Sequence, residues 1–351
     1  MMEKIQVSTG KFQDSSEVDK SKSRKVNLNL ETSLLNLEPS YRGRLAPSPT
    51  GALHLGNART FLIAWLRARK AGGKIILRME DLDHPKVKPG AAQEVLDDLR
   101  WLGLDWDEGP HVQTQRIEHY AAALETLRAK GLAYPCVCSR KDVAEGQSAP
   151  HGAEDGLFYP GTCRGKYADF PILPDGRIPA WRFRVGEGSD VVFHDAFCGE
   201  QKQNVAQAVG DFVIARHERG AGYMLAVVVD DAVMGITEVV RGDDLLPATP
   251  RQLLLYRALG LPEPRFFHAP LVVAEDGRRL AKRHGDTRLR AIREAGVPPG
   301  EVLGVLAWWS GWADWGESVA LQDLLPRCDF EKIPRTQAVL TREVRRRLRV
   351  E

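Results

Sequence analysis

The stretch RGRLAPSPTGALHLGNARTFLIAWLRARKAGGKIILRME, residues 42–80, decides the fold class. Its first part, RGRLAPS (42–48), predicts a short strand that is interrupted by prolines. The spacing of apolar residues in 57–73, which ends in two glycines, predicts a helix, and KIILRME (74–80) predicts a second strand. A strand, a helix and a strand within about forty residues form a βαβ unit, whose crossover places the strands parallel in a doubly wound sheet.

The turn between the first strand and the helix predicts a phosphate site. It lies at the carboxyl end of a strand, where such sheets bind ligands. Gly56 lets the backbone approach an anion, and free N–H groups in the first turn of the helix favour negative charge. His54 can donate to phosphate oxygens as their charge increases. The alternative is an ordinary strand-to-helix turn with a capping histidine.

The α/β pattern continues on both sides of a segment that is rich in Cys, Pro and Gly. Helices are predicted at 90–104, 116–132, 249–260 and 287–296, and strands at 223–231, 237–242 and 266–273. The inserted segment therefore splits one sheet in the sequence. The predicted organisation is a disordered leader (1–40), the first half of a catalytic domain (41–132), an insertion (133–200), the second half (201–286) and a helical region (287–351).

Composition limits the class of protein. The 49 basic and 47 acidic residues give a net charge of +2, so any basic surface must be local. The apolar run 223–229 is too short to cross a bilayer, and the N-terminal segment lacks the apolar core of a secretory signal. Five cysteines without an export signal indicate a reducing, cytoplasmic compartment. The run TREVRRRLRV (341–350) predicts a solvated helix face or a frayed terminus.

Three ordered motifs resemble one known family. APSPTGALHLGNART (46–60) resembles the "HIGH" region of class I aminoacyl-tRNA synthetases, in the glutamyl and glutaminyl branch. ILRMEDLD (76–83) is similar to the second strand of that branch, and EDGRRLAKRHGD (275–286) resembles its "KMSKS" loop. The resemblance covers residues 41–345 and implies a Rossmann-like catalytic domain with an inserted zinc-bearing subdomain and a short helical C-terminal region.

The resemblance implies that glutamate is activated by ATP. His54, Gly56 and Asn57 would then bind ATP, with Mg²⁺ held mainly through the phosphates. Lys282 would also bind ATP and neutralise the leaving pyrophosphate, so that His54 and Lys282 are the expected catalytic residues. The loop departs from the family pattern at Ala281, where a serine is usual, but because Lys282 remains we expect activity.

The resemblance also implies a glutamate pocket. Glutamate carries two carboxylates and an ammonium group, which require guanidinium and carboxylate partners. Glu80 is assigned to the ammonium group and Arg44 to the side-chain carboxylate. Arg241 and Tyr223, the latter at the start of a predicted strand, complete carboxylate recognition. The full set of matching positions is Arg44, Leu45, Ala46, Pro47, Ser48, Glu80, Tyr223 and Arg241. For any one charged member, the alternative is a surface ion pair.

The inserted segment predicts a structural zinc site. Three of its cysteines are close in sequence: Cys136, Cys138 and Cys163. Spacing alone leaves His151 or Cys198 as the fourth ligand of a tetrahedral ion. The resemblance instead indicates Tyr159, because a zinc-bearing branch of the family has C-x-C followed by Y-x-x-x-C. The alternative is a set of buried cysteines without a metal.

The C-terminal region narrows the resemblance further. Only 68 residues, 284–351, follow Arg283, whereas a full glutamyl-tRNA synthetase has an anticodon-binding domain after this loop. With the C-x-C and Y-x-x-x-C pattern, the chain resembles short family members that activate glutamate without tRNA and esterify it to queuosine in the anticodon loop of tRNA(Asp). We expect a monomer without membrane contact. The basic residues expected to meet RNA phosphates are Arg59, Arg67, Arg69, Lys70 and the C-terminal arginines.

Two other functions remain open at this point. One is a short glutamyl-tRNA synthetase that charges the 3′ end of tRNA. The other is a catalytically silent paralogue that binds RNA or glutamate, for which the altered RRLAK loop is the only support in the sequence.

Overall fold

The βαβ unit predicted from residues 42–80 is present in the computed structural model. The strand β1 (Arg42–Leu45) lies parallel to β2 (Lys74–Met79), and the helix α1 (Leu55–Lys70) connects them. A glycine is required just before β2, because a Cβ at Gly73 would lie 2.3 Å from the carbonyl oxygen of Tyr41. The glycine that ended the predicted helix is therefore also required by the close approach of the chain at Tyr41.

The structure describes residues 40–49, 52–82, 87–145, 158–167, 178–217, 220–278, 280 and 287–350. The remaining strands are β3 (Glu108–Val112), β4 (Ala133–Cys136), β5 (Ala180–Phe183), β6 (Asp190–Asp195), β7 (Gly199–Asn204), β8 (Phe212–His217), β9 (Gly220–Ala221), β10 (Glu238–Gly242), β11 (Arg265–Ala269), β12 (Val272–Ala274) and β13 (Ala338–Leu340). The remaining helices are α2 (Ala91–Trp101), α3 (Ile117–Ala129), α4 (Arg140–Glu145), α5 (Val205–Ala208), α6 (Tyr223–Val233), α7 (Thr249–Leu259), α8 (Leu289–Glu294), α9 (Pro299–Trp309), α10 (Leu321–Arg327) and α11 (Arg342–Arg347).

The central sheet is split in the sequence, as predicted. Strands β3, β2 and β1 form one parallel group, and β10, β11 and β6 form another, to which β7 adds an antiparallel edge. The groups meet where the N–H of Thr237, just before β10, donates to the carbonyl oxygen of Arg42 at 2.9 Å. Because β1 has β2 on one side and β10 on the other, this junction is the switch point at which ligands bind in such sheets.

Hydrophobic cores cover both faces of the sheet. Successive residues of a strand point to opposite faces. In β2, Ile75 and Leu77 accordingly pack with α1 and the C-terminal helices, whereas Ile76 packs with α3, α6 and α7. Phe267 and Phe266 of β11 divide in the same way. The α/β class with a parallel sheet is confirmed.

The prediction of a strand at 223–231 is wrong, because this run forms the helix α6. Leu225 and Val228 are fully buried between β8, α3 and α7. A short apolar run has no polar positions to reveal its period, so a buried helix and a buried strand look alike in sequence. Packing on all sides then overrides the strand preference of valine. The strand predicted at 266–273 is also divided, with Pro270 between β11 and β12.

A separate antiparallel sheet has the order β4, β5, β8 and β9. It departs from the predicted insertion bounds of 133–200, because β8 and β9 follow residue 200, whereas β6, within those bounds, pairs with β11 of the central sheet. Cys136, Cys138 and Cys163 belong to a small core of their own. The C-terminal run 341–350 is not frayed. The side chain of Thr341 caps α11 by accepting from the N–H of Val344, and Val344 and Leu348 are fully buried. No helix within the described part of the chain is long and apolar enough to cross a bilayer.

Candidate active site

A cleft of about 550 Å³ opens at the switch point between β1 and β10. Its lining includes the predicted residues Arg44, Ala46, Pro47, Ser48, His54, Gly56, Asn57, Glu80, Tyr223 and Arg241. Leu45 is the exception, because its side chain is fully buried in the core. Lys282 lies outside the described residues. The structure therefore brings together positions that are up to two hundred residues apart in sequence.

Arg44 lies across the junction of the two strand groups. Its Nη1 donates to the carbonyl oxygen of Val240 at 2.6 Å, and its Nε lies 3.8 Å from Oδ1 of Asp231. Nε has no hydrogen-bond partner among the described residues. Burial lowers the pKa of this guanidinium, and the nearby carboxylate of Asp231 opposes that shift. Because an incompletely bonded, buried guanidinium is costly, this group is suited to accept an anionic partner from the cleft.

Glu80 is one of two acidic residues that line the cleft, and the other is Asp244. Its Oε1 accepts from Nη2 of Arg78 at 2.9 Å, and its backbone N–H donates to the carbonyl oxygen of Pro47 at 2.9 Å. The Ser48 hydroxyl donates to the carbonyl oxygen of Glu80 at 3.0 Å. Burial raises the pKa of Glu80, although Arg78 acts in the opposite direction. The main-chain and side-chain bonds hold this carboxyl group at the floor of the cleft.

A buried ion network that was not predicted from the sequence lies beneath Glu80. Arg78 is fully buried and donates through Nη1 to Asp231 at 2.6 Å. Its Nε lies 3.8 Å from Asp230, which also accepts from Arg116 at 2.7 Å. The sequence did contain a signal for this network, namely the two aspartates, Asp230 and Asp231, at the end of an apolar run. Carboxylates that are buried with such a run require cationic partners.

Tyr223 lines the cleft from the first turn of α6, not from a strand. The residue is 41% exposed and faces the cleft. The predicted strand is therefore wrong, and the predicted contact of Tyr223 with glutamate stays a prediction.

Arg241 is held from below by His268 and Thr249. Its Nε donates to Nε2 of His268 and its Nη2 to the Thr249 hydroxyl, both at 2.9 Å. Nδ1 of His268 lies 2.6 Å from Oδ2 of Asp195. Burial lowers the pKa of His268 to about 4. None of these supporting residues was predicted, since they come from β6, β11 and α7 and share no sequence motif.

His54 caps α1 with its own side chain. Nδ1 accepts from the N–H groups of Gly56 and Asn57 at 3.1 and 3.4 Å, and the Asn57 side chain accepts from the His54 N–H. The N–H of Leu55 donates to the carbonyl oxygen of Thr287. The expectation of free N–H groups in this turn is therefore wrong. Burial lowers the pKa of His54, which favours the neutral ring, and because Nδ1 accepts both bonds, the ring proton lies on Nε2.

Both ends of the "KMSKS"-like loop are anchored at the cleft. Leu280 lines it, and after the loop the N–H of Leu289 donates to the carbonyl oxygen of Leu53 at 2.8 Å. Residues 281–286, including Ala281 and Lys282, lie outside the described residues.

A second cluster, in the inserted segment, has the dimensions of a metal site. Its three sulfur atoms, from Cys136, Cys138 and Cys163, lie within 4.8 Å of one another. The Tyr159 hydroxyl oxygen lies 3.3 Å from Sγ of Cys136 and 3.6 Å from Sγ of Cys138. A tetrahedral zinc ion with Zn–S bonds of about 2.3 Å requires ligand atoms roughly 3.5 to 3.8 Å apart. Sγ of Cys138 also lies 3.5 Å from Sγ of Cys163, so several of the separations are close to that range, and the donor set of three thiols and a phenol suits zinc.

The structure also bears on the alternatives for the fourth ligand. Sγ of Cys198 contacts the carbonyl oxygen of His268, away from the cluster, and His151 lies outside the described residues. Tyr159 is held by backbone bonds to Val209 and Asp211. Gly210 is required beside it, since a Cβ there would lie 2.1 Å from the carbonyl oxygen of Tyr159.

Arg182 supports the same cluster. Its Nε donates to Sγ of Cys136 at 3.1 Å, and its guanidinium carbon lies 3.7 Å above the centre of the Tyr159 ring. Three thiolates and a phenolate around Zn²⁺ would carry a net charge of −2, so a cation at this distance lowers the cost of burying them.

Comparisons with known proteins show the family to which this chain belongs. The family model of class I tRNA synthetases (E and Q), catalytic domain, matches residues 40–318. A glutamyl-Q tRNA(Asp) synthetase from Symbiobacterium thermophilum is 51% identical over 304 residues, which cover 84% of this chain and 94% of that protein. One from Deinococcus radiodurans is 49% identical over 292 residues, which cover 81% and 95%. This chain belongs to the glutamyl-Q tRNA(Asp) synthetase family.

Solved structures of related enzymes share the fold. A glutamate tRNA ligase from Elizabethkingia meningosepticum, solved in complex with its amino acid, matches with a TM-score of 0.73 and 26% identity, covering 88% of this chain and 68% of that one. The glutamate-tRNA synthetase of Elizabethkingia anophelis matches with a TM-score of 0.74, 26% identity and coverages of 88% and 70%.

The basic residues of α1 do not form the expected phosphate surface. Arg59 is buried and donates to the carbonyl oxygens of Pro270 and Trp309. Arg67 is paired with Glu238 at 2.6 Å, and the other two, Arg69 and Lys70, bond to acidic side chains and to a backbone carbonyl. A period of 3.6 residues does not distinguish cations that face solvent from cations that hold helices together.

Proposed function

We propose that this chain activates glutamate with ATP without tRNA and transfers the glutamyl group to queuosine in tRNA(Asp). The observation that carries the proposal is the single cleft that groups Arg44, Arg241 and Glu80 beside the His54 cap. Two cations and one carboxylate match the charges of glutamate, and family membership supplies the class of reaction. As a synthetase of this family, the protein is an ATP-dependent, ligase-type enzyme.

Recognition of glutamate rests on charge complementarity. Glu80 would accept hydrogen bonds from the substrate ammonium group, with its carboxyl group held in place by Arg78. Arg44 would bind the side-chain carboxylate through the nitrogen atoms that Val240 does not engage. Arg241 and Tyr223 complete carboxylate recognition. Such preformed partners favour glutamate over neutral amino acids, because a neutral side chain would leave hydrogen-bond donors of the buried Arg44 guanidinium without an anionic partner.

Activation requires little covalent chemistry from the protein. A carboxylate oxygen of glutamate forms a bond to the α-phosphorus of ATP, and the bond from that phosphorus to the bridging oxygen breaks as pyrophosphate leaves. Neutral His54 would donate from Nε2 to a phosphate oxygen, since its Nδ1 is engaged by the helix cap. Lys282 would neutralise the leaving group, together with the positive charge that Mg²⁺ supplies when it is bound with ATP. The glutamyl group then passes to a queuosine hydroxyl as AMP leaves.

The zinc ion would have a structural role. Cys136, Cys138, Tyr159 and Cys163 would hold it, and it would tie β4 to the chain around Tyr159 in a subdomain with a small core. Free thiols that are ready for a metal suit the reducing conditions of the cytoplasm, where we place the protein.

The test of activation is ATP–pyrophosphate exchange with glutamate and no tRNA. Robust exchange is expected, and Lys282→Ala should lower it at least about 10²-fold. The exposed residue Lys332 provides a matched control, because Lys332→Ala removes a lysine outside the cleft and should leave exchange unchanged. Absence of exchange in the native protein would favour a silent paralogue and refute the proposal.

The test of transfer locates the product. tRNA(Asp) with queuosine is incubated with labelled glutamate and ATP, digested to nucleosides and analysed by mass spectrometry. Label on queuosine is expected, and tRNA(Asp) that lacks queuosine should take up none. Label on the 3′-terminal adenosine would identify a short glutamyl-tRNA synthetase instead.

A further inference from the structure

A buried chain of three side chains ends at the cleft. Asp195 at the end of β6 and His268 of β11 are fully buried, and Arg241 of β10 is 6% exposed. Nδ1 of His268 lies 2.6 Å from Oδ2 of Asp195, and Nε2 lies 2.9 Å from Nε of Arg241. The activation chemistry described above uses only the last member of this chain.

The hydrogen bonds define the protonation of the imidazole. Arginine Nε carries a hydrogen and can only donate, so Nε2 of His268 must accept through its lone pair. The ring proton therefore lies on Nδ1 and is donated to Asp195. The second oxygen of Asp195 accepts from the backbone N–H groups of Phe197 and Cys198 at 3.0 and 2.8 Å. Burial, which lowers the pKa of His268 to about 4, keeps the ring neutral.

The same bonds fix the orientation of Arg241. Its Nε is bound to His268, and its Nη2 donates to the Thr249 hydroxyl at 2.9 Å and lies 3.4 Å from the Leu245 carbonyl oxygen. Two of the three guanidinium nitrogens are therefore bonded to the protein. Nη1 is left for the cleft, which Arg241 lines.

The neutral imidazole has a specific consequence for charge. A carboxylate in direct contact with Arg241 would orient it but would also neutralise it and compete with a substrate carboxylate. With His268 between them, Asp195 fixes the tautomer at a distance, and the positive charge of Arg241 remains available to the ligand.

We propose that His268 and Asp195 are positioning residues that hold Arg241 ready for a carboxylate of the amino-acid substrate. The inference rests on the proposed function, because it assigns Arg241 to glutamate. These residues act through Arg241 and do not touch the reacting atoms.

The experiment measures KM for glutamate and for ATP in the exchange assay. His268→Leu removes the acceptor, and we expect KM for glutamate to rise about 10- to 100-fold while KM for ATP changes less than about twofold. His268→Gln keeps an acceptor oxygen near the position of Nε2 and should recover most of the loss. His194→Asn is the matched control, since His194 is exposed on the same strand as Asp195 and should have no effect.

A second variant tests the tautomer and does not depend on His268→Leu folding. Asp195→Asn is nearly isosteric, and its amide can donate to Nδ1, which moves the ring proton to Nε2 and removes the acceptor for Arg241. It should raise KM for glutamate selectively. Equal rises in both KM values, no rise, or a His268→Gln variant as impaired as His268→Leu would overturn the proposal. Native protein without glutamate-dependent exchange would instead remove the proposed function, and this inference with it.

Discussion

Arg78 offers the sharpest test of how charge is buried in this fold. Its side chain is fully buried and lies 2.6 Å from Asp231, 2.9 Å from Glu80 and 3.8 Å from Asp230. The substitution Arg78→Met keeps most of the volume and removes the charge and the donors. Asp230 would retain Arg116, whereas Asp231 and Glu80 would lose their close cationic partner.

The loss of stability expected for Arg78→Met follows from the burial of its partners. Removing one partner of a buried ion pair costs about 3–5 kcal/mol, because the remaining charge has no water and no counter-ion. We therefore expect Arg78→Met to lower the free energy of unfolding by about 3–5 kcal/mol at pH 7. An exposed pair of similar geometry contributes only about 0–1 kcal/mol. The pair of Arg257 and Glu263, 2.7 Å apart and 43% and 37% exposed, provides this comparison.

The assay is urea denaturation followed by circular dichroism for the native protein, Arg78→Met and Arg257→Met. A difference of less than about 1 kcal/mol between the two variants would refute the argument from buried charge. The double variant Arg78→Met/Asp231→Asn should be more stable than Arg78→Met alone, because the amide removes one uncompensated charge.

Three further outcomes can be measured on purified protein. Tyr159→Phe should weaken zinc binding at least about tenfold in a chelator competition, whereas Tyr167→Phe, beside the cluster, should leave it unchanged. Arg182→Met should weaken zinc binding about 10- to 100-fold and alter the absorption spectrum of the cobalt-substituted protein, because it removes a donor to a ligand sulfur. The pKa of His268 is about 4 when folded, so between about pH 6.5 and 4 only the unfolded chain gains a proton there, and stability should fall by up to about 3 kcal/mol as the pH falls. His268→Gln should lack this loss in urea titrations at pH 7 and 4.5, and His194→Asn should keep it.

The helix cap at His54 shows what the motif could not predict. The residue types at His54 and Gly56 predicted both a phosphate turn and a capping histidine. The structure contains the cap, and it engages N–H groups that the phosphate interpretation had left free. Both roles are compatible because the two ring nitrogens differ: Nδ1 serves the helix and Nε2 is available for a ligand.

The strand prediction at 223–231, where the structure has α6, failed for a different reason. The run from Tyr223 to Asp231 has no alternation of polar and apolar residues, so its period could not be determined from sequence. Its conformation is decided by neighbours on β8, α3 and α7 and by the ion network that receives its two aspartates.

By itself, the sequence determined the βαβ unit of residues 42–80 and the parallel sheet split by an insertion, and its motifs, through the family resemblance, indicated part of the lining of the cleft. These features depend on short-range chain stereochemistry and on motifs whose residues are close in sequence. Tertiary structure alone decided which cations face a ligand and which are consumed by the fold. Arg59 and Arg44 look alike in sequence, yet Arg59 donates to backbone carbonyl oxygens in the core, whereas Arg44 lines the cleft. The physical reason is that a charge acquires its role from partners brought close by folding, and those partners lie far away along the chain.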